Sequence, residues 1–371
     1  MGREPTIPEP PHPRMTPHLE GHEAAERTLL AALDGGRLHH AWLFTGPRGI
    51  GKATLAYRFA RHLLATGGEA GDSLFGTAAL ARENLELAVD HPVFQRVAAG
   101  SESNLFVLER GLDPRRGTMR GEIVVDDVRA LGRFFAHTAA GEGWRVAIVD
   151  SADEMNRSAA NALLKILEEP PEKGILLLVS HTPGRLLPTI RSRCRRLALH
   201  PLADETVAGI LALHGIDLPA EDLSMLVTLA RGAPGRAIRL ATADGLALYR
   251  EILHLLGGLP RLDRVAVHRL AGELAGKAAE ERYRVFVDLF LDCIARLIRG
   301  AALGGGGAQP AAEARLAARL ATVQPLDRWV ELWEKMGRLV SRAEAVHLDR
   351  KQVVLSLFGE LESAATGRLA V

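Results

Sequence analysis

Three stretches of the 371-residue chain carry side chains with chemistry to offer. The first is Gly46-Pro47-Arg48-Gly49-Ile50-Gly51-Lys52-Ala53-Thr54. It meets the phosphate-loop pattern G-x-x-x-x-G-K-[ST] from Gly46 through Lys52. Glycines at 46, 49 and 51 let successive backbone N–H groups turn toward phosphate oxygens. A helix N-terminus behind them adds partial positive charge, and Lys52 reaches the terminal phosphates. The pattern fails at its last position, where Ala53 replaces the hydroxyl that would hold magnesium. Thr54 comes one residue late, about 100° further round a helix. Two readings stay open: a site for ATP or ADP, and a glycine turn with no ligand. Magnesium-dependent hydrolysis is disfavoured. So is a dinucleotide site, because the loop does not form G-x-G-x-x-G.

The second stretch is Trp144–Asp150, an apolar run that ends in an acid. An aspartate at the C-terminal end of such a strand faces a magnesium ion beside the phosphate loop, or else caps the next turn. An active ATPase needs a further carboxylate here to orient water. This chain has Ser151, with Asp153 and Glu154 further on. Similarly, Ser180-His181-Thr182 stands where a group sensing the terminal phosphate would sit, or simply ends a strand. The third stretch is Arg191-Ser192-Arg193-Cys194-Arg195-Arg196. A guanidinium keeps its charge and forks onto phosphate oxygens. Four arginines in six residues also read as a solvated or DNA-facing patch.

The elements that must position these groups alternate. Apolar runs at Ala41–Thr45, Trp144–Val149 and Gly174–Ser180 have the length and continuity of buried strands, and Leu105–Leu108 and Leu197–Leu199 add two shorter ones. Helical spacing recurs at Glu20–Leu33, after Lys52, within Ile123–Thr138 and at Asn156–Glu169, the last ended by Pro170-Pro171. Thr66–Ala81 reads as a loop with a short helix, and His91 as a surface or packing histidine. The fold class is therefore α/β, a parallel sheet with helices on both faces. Beyond residue 200 the chain is helical, with predicted helices at Asp204–Leu213, Glu221–Ala230 and Arg236–Tyr249 and long amphipathic ones after residue 250. Gly304–Gly307 reads as a linker. The predicted divisions are a flexible or surface-draped arm at 1–18, a nucleotide-binding-like domain at 19–202, a small helical domain at 203–249 and a helical domain at 250–371.

Composition excludes several classes. Hydrophobic content of 47% and charged content of 25% fit a soluble globular protein. The N-terminal stretch has prolines and charges where a signal peptide needs an apolar core, and no run is long enough for a membrane span, so a cytoplasmic location is expected. Two distant cysteines, Cys194 and Cys293, provide neither a disulfide framework nor a four-cysteine zinc site. A net charge of +1 argues against a stand-alone nucleic-acid-coating module.

Taken together, GPRGIGKAT, VAIVDSADEMNRSAANALLKILEEPPEKGILLLVSHTPGRLLPTIRSRCRRL and HLDRKQVVLSLFGEL resemble the delta-prime family of bacterial DNA polymerase III clamp-loader subunits, within the AAA+ superfamily. That resemblance implies a RecA-like domain, a helical lid and a C-terminal collar. It implies a hetero-oligomeric partnership with motor subunits and a delta subunit in a five-membered arc, which opens the sliding clamp and places it on primed DNA. It carries the family's Ser-Arg-Cys motif onto Ser192, Arg193 and Cys194, with Arg193 as a finger reaching a neighbour's ATP. The motor subunits of this family carry a four-cysteine zinc module after the phosphate loop, and this chain has no cysteine between residues 52 and 193. Gly235, beside Arg236, stands where a motor has its second sensor arginine. With Ala53 and Ser151, these departures imply a non-hydrolysing member with no zinc. Gly46, Gly49, Gly51, Lys52, Thr54 and Asp150 would remain as a vestigial nucleotide site. The competing reading is a motor ATPase in its own right.

Overall fold

Continuous apolar runs and helical spacing translate directly into the core of the fold. The computed structural model describes residues 11–66, 84–112, 117, 119–136, 143–303, 311–346 and 348–366. In chain order the first elements are α1 (Glu23–Asp34), β1 (Ala41–Thr45), α2 (Lys52–Thr66), α3 (Pro92–Ala99), β2 (Leu105–Leu108), α4 (Val125–Ala136), β3 (Arg145–Val149), α5 (Arg157–Glu168), β4 (Gly174–Ser180), α6 (Pro188–Arg193) and β5 (Arg195–Ala198). Then follow α7 (Asp204–Leu213), α8 (Ala220–Ala230), α9 (Pro234–Thr242), α10 (Gly245–Gly257), α11 (Arg264–Ala275), α12 (Glu280–Ala302), α13 (Ala311–Val323), α14 (Leu326–Val346) and α15 (Arg350–Ala365). Described residues 11–219 and 227–238 form one compact unit; 220–226 and 239–366 form the other.

Among the described residues the sheet has five strands in the order β2-β3-β4-β1-β5, and every pair is parallel. Every residue of β1, β3 and β4 is buried, as a parallel strand covered on both faces requires. Alternation sends Trp42, Phe44, Val146, Ile148, Leu177 and Val179 to one face, where they meet α1, α2 and α3. Leu43, Ala147, Val149, Leu176 and Leu178 go to the other, against α4, α5 and α6. Burying a single leucine or isoleucine side chain contributes about 1.5–3 kcal/mol, so these two layers are the main source of the sheet's stability. The loops that leave the sheet's C-terminal edge carry the candidate site.

Two local signals are sharpened by the structure and one is corrected. His91 is a helix cap: its Nδ1 accepts from the Val93 N–H at 3.1 Å and Pro92 opens α3. The predicted helix Arg236–Tyr249 is two helices, broken where Asp244 adopts a left-handed φ of 55° before Gly245. Residues 11–18 of the predicted arm drape over α2, anchored by two buried arginines. Arg61 donates to the carbonyls of Arg14 and Thr16 at 3.0 and 2.7 Å and lies over the Phe94 ring. Arg58 pairs with Glu26 at 2.7 Å and donates to the Pro17 carbonyl. The predicted linker Gly304–Gly307, arm residues 1–10 and most of Thr66–Ala81 lie outside the described residues.

The second unit is helical. Phe286 and Phe290 of α12 and Phe358 of α15 form an aromatic cluster with centroids 5.0–6.2 Å apart. Beside it, fully buried Glu313 of α13 accepts from the Tyr249 hydroxyl of α10 at 2.6 Å and from Arg296 of α12 at 2.7 Å. Among the described residues no helix is long and apolar enough to cross a membrane.

Candidate functional site

β1 ends at Thr45, Gly46–Gly51 turns the chain, and α2 begins at Lys52. Two of the glycines are obligatory. Gly46, at φ 147°, would push a Cβ to 2.5 Å from the Leu199 carbonyl oxygen. Gly49, at φ 80°, would push one to 2.7 Å from the Arg236 nitrogen. The Gly49 carbonyl accepts from the Gly235 N–H at 2.8 Å, so the start of α9 is bonded directly onto the loop. Gly51 leads into α2 beside Leu19 and His22, and His22 Nε2 lies 2.8 Å from the Ile50 carbonyl.

Lys52 is 2% exposed, and its ammonium donates to the carbonyls of Gly46 and Pro47 at 2.7 and 2.6 Å. Burial pulls its pKa down to about 8, against the opposing pull of Asp153 and Asp150, with Arg48 adding to the depression. Ala53 and Thr54 follow on the first turn of α2, both half-buried. The magnesium-holding hydroxyl is therefore missing at the position next to Lys52.

Asp150 leaves the end of β3, its N–H bonded to the Leu108 carbonyl at 2.9 Å. Burial, then the charge of Glu109, raises its carboxyl above the usual range, while Arg48, His12 and the Ser151 N–H oppose that. Where a water-orienting carboxylate would follow, Ser151 sits in a left-handed turn (φ 59°) with its hydroxyl 3.1 Å from His181 Nε2. The His181 N–H donates to Asp153 Oδ1 at 2.8 Å. Glu154 bridges Arg48 and Arg110 at 3.0 and 2.8 Å. The structure thus brings Lys52, Asp150 and His181 together around one loop. No carboxylate stands at position 151.

His181 is held as a neutral imidazole. Burial lowers its pKa to about 4, with Lys52 and Arg48 adding to the effect and Asp153 opposing it. A histidine whose folded pKa lies below its unfolded 6.5 contributes stability that is complete above 6.5 and is lost as pH falls toward 4. His181→Gln is therefore expected to flatten the pH dependence of the unfolding midpoint between pH 6.5 and 4. An unchanged slope in that window would show that other groups carry it.

The arginine turn lies elsewhere. β5 runs parallel to β1 with Arg195 opposite Trp42 and Ala198 opposite Thr45. Arg193 ends α6, before β5 begins, so it stands at the N-terminal edge of the sheet while the phosphate loop stands at the C-terminal edge. From Trp42 to Gly46 the strand advances about 13 Å, at ~3.3 Å per residue. Arg193 is thus directed away from its own loop. Its guanidinium pairs with Glu168 at 2.9 Å and donates to the Thr189 carbonyl at 3.1 Å. Ser192 donates to the same carbonyl at 3.1 Å. Cys194 turns inward against the α5–α6 layer, and burial pushes its thiol up to about 12, which leaves it inert. Arg195 lies over the Trp42 ring at 4.8 Å, and Arg196 donates to Thr45 Oγ1 at 3.2 Å.

Sequence reasoning did not find Glu168, the Ser151–His181 contact or the Gly235–Gly49 bond. Each joins residues distant in the chain, and only the Ser180-His181-Thr182 tip carried a signal. No cluster of three or more His, Cys, Asp or Glu that could hold a metal ion occurs among the described residues.

A family model described as DNA polymerase III, delta subunit, matches residues 21–203. Among curated proteins, the DNA polymerase III subunit delta' of Pseudomonas aeruginosa is 39% identical over 242 residues, 64% of this chain and 66% of that one. The delta' subunit of Yersinia pestis is 32% identical over 279 residues, 73% of this chain and 74% of that one. The gamma/tau subunit of Mycobacterium tuberculosis is 30% identical over 247 residues, 64% of this chain and 39% of that longer relative. A DNA polymerase III gamma subunit-related protein of Thermotoga maritima is similar in structure at 17% identity and a TM-score of 0.38, covering 88% of this chain and 95% of that one.

Proposed function

The chain belongs to the DNA polymerase III delta-prime family, and from that premise we propose that it is a clamp-loader subunit that hydrolyses no nucleotide itself and lends Arg193 to a neighbour's ATP. Its partners are then the motor and delta subunits of a five-membered arc, and through them the sliding clamp and primed DNA. The observation that carries this reading is the separation of the two chemistries. Arg193 and the phosphate loop stand at opposite edges of one parallel sheet. A finger at that edge serves only a site presented by another chain.

The loop's own chemistry supports the same reading. The glycine-loop N–H groups suit the phosphates of ATP or ADP, whereas Lys52 is buried and bonded to the Gly46 and Pro47 carbonyls and would have to leave them to reach a phosphate. Ala53 does not fit magnesium, and Ser151, tied to His181, does not fit the activation of water. The start of α9 is closed on Gly49 through a glycine, so no sensor arginine stands at position 235. Nucleotide, where bound, is held without turnover.

Arg193 acts by charge and shape. Negative charge spreads over the equatorial oxygens of the phosphoryl group as it transfers, and a planar guanidinium stabilises that charge without needing a proton. Ser192 and Cys194 shape the turn: the hydroxyl bonds to Thr189 and the thiol packs against the core, with the half-buried Arg193 between them.

The purified chain, given ATP and magnesium, is expected to show no turnover above a protein-free control, whether or not nucleotide copurifies with it. Turnover that disappears in Lys52→Ala would make this chain a motor and sink the reading.

A further inference from the structure

We propose that Glu168 is the positioning residue for Arg193, holding the guanidinium in the orientation in which it meets a neighbour's phosphate; this rests on the finger reading above. An arginine that ends a short helix has four side-chain torsions to settle, and Arg193 remains partly exposed, at 37% of its side-chain surface. Two anchors from different helices settle them. The Thr189 carbonyl, one turn back on α6, takes one terminal nitrogen at 3.1 Å, and Glu168 of α5 takes the other at 2.9 Å. A guanidinium has five N–H donors. Two bonds leave three donors free for a phosphate, so the anchors orient the fork without exhausting it.

The carboxylate is well placed for this task because its own helix is fixed at both ends. Asn156 caps the start of α5, accepting from Ala159 N–H at 2.9 Å. Pro170 and Pro171 follow Glu168 closely and stop the helix from extending past it. The face of α5 opposite solvent is locked by buried Ala159, Leu163 and Leu167. Glu168 is therefore a half-exposed acceptor on a fixed helix end, and with the Thr189 carbonyl it narrows the orientations open to the guanidinium. Arg195 and Arg196 of the same turn have other attachments, the Trp42 ring and Thr45.

The test measures kcat and KM for ATP in the assembled complex, with clamp and primed DNA. Glu168→Ala is expected to lower kcat roughly twofold to fivefold, the range an exposed ion pair supplies, and to leave KM unchanged. Glu168→Gln, whose amide oxygen still accepts a hydrogen bond, is expected to retain most of the rate. In an Arg193→Ala background Glu168→Ala is expected to change nothing further. A kcat equal to or above the parent in Glu168→Ala would overturn the positioning role while Arg193→Ala still lowers it. So would an equal loss in both backgrounds, which marks a structural effect. No loss in Arg193→Ala itself would overturn the finger reading and this inference with it.

Discussion

Arg193→Ala is expected to cut ATP turnover by about a thousandfold or more at the one site it completes, the loss typical of removing an arginine finger. The loss should fall on kcat of the clamp- and DNA-stimulated reaction. Folding and assembly should be retained, because the residue's internal bonds are slight. Its ion pair with Glu168 is 37% and 50% exposed on its two sides, and a pair of that kind contributes at most about 1 kcal/mol. Arg193→Lys is expected to recover little, since an ammonium is a compact point charge and cannot fork onto two oxygens. Steady-state turnover, with circular dichroism and gel filtration of the variant complex as controls, checks the prediction. Parent-like turnover in Arg193→Ala would remove the finger assignment.

Glu313→Ala is expected to produce the other large effect, on stability alone. Glu313 is fully buried and holds Arg296 of α12 and Tyr249 of α10, with the Cys293 sulfur 3.9 Å away. Arg296 is also paired with Asp292 at 2.5 Å, so deleting the Glu313 carboxylate removes one of its two acidic partners, and the loss should fall below the roughly 3–5 kcal/mol of a buried charge left with none. The phenol loses its acceptor in the same step. Urea unfolding of the variant should show the transition of the helical unit displaced to lower denaturant. Replacing Asp292, Arg296, Glu313 and Tyr249 together with apolar residues of similar volume should recover most of the loss, because the whole ion-paired cluster is then removed at once. A single-variant loss under about 1 kcal/mol would show that water reaches the cluster.

Elements buried on both faces were the most legible part of the fold. Gly174–Ser180 and Ala41–Thr45 read as strands because a parallel strand under two helical layers has no polar face to show. Asn156 and the Pro170-Pro171 pair framed α5 at both ends. By contrast, α3 is absent from the prediction, because its opening is signalled by His91-Pro92, and histidine is an uncommon cap. The break between α9 and α10 was present as Asp244-Gly245, a turn pair overridden by the helical spacing around it. In the site, Lys52 and Asp150 were readable because their geometry is local to a loop and a strand end. Glu168 was not readable, since its pairing with Arg193 depends on how α5 packs against α6. Arg58 and Arg61 gave no warning either, because the carbonyls that receive them belong to a segment some forty residues earlier.

The opposite-edge arrangement of loop and finger gives the subunit a direction. On the reading proposed here, each copy gives a catalytic arginine at one edge and has no active site at the other to receive one. A closed ring of identical copies would then be all donors and no acceptors, chemically silent at every junction. Mixed composition follows as a necessity of stoichiometry on that reading: such a chain serves a junction only where the neighbour it faces carries an intact site.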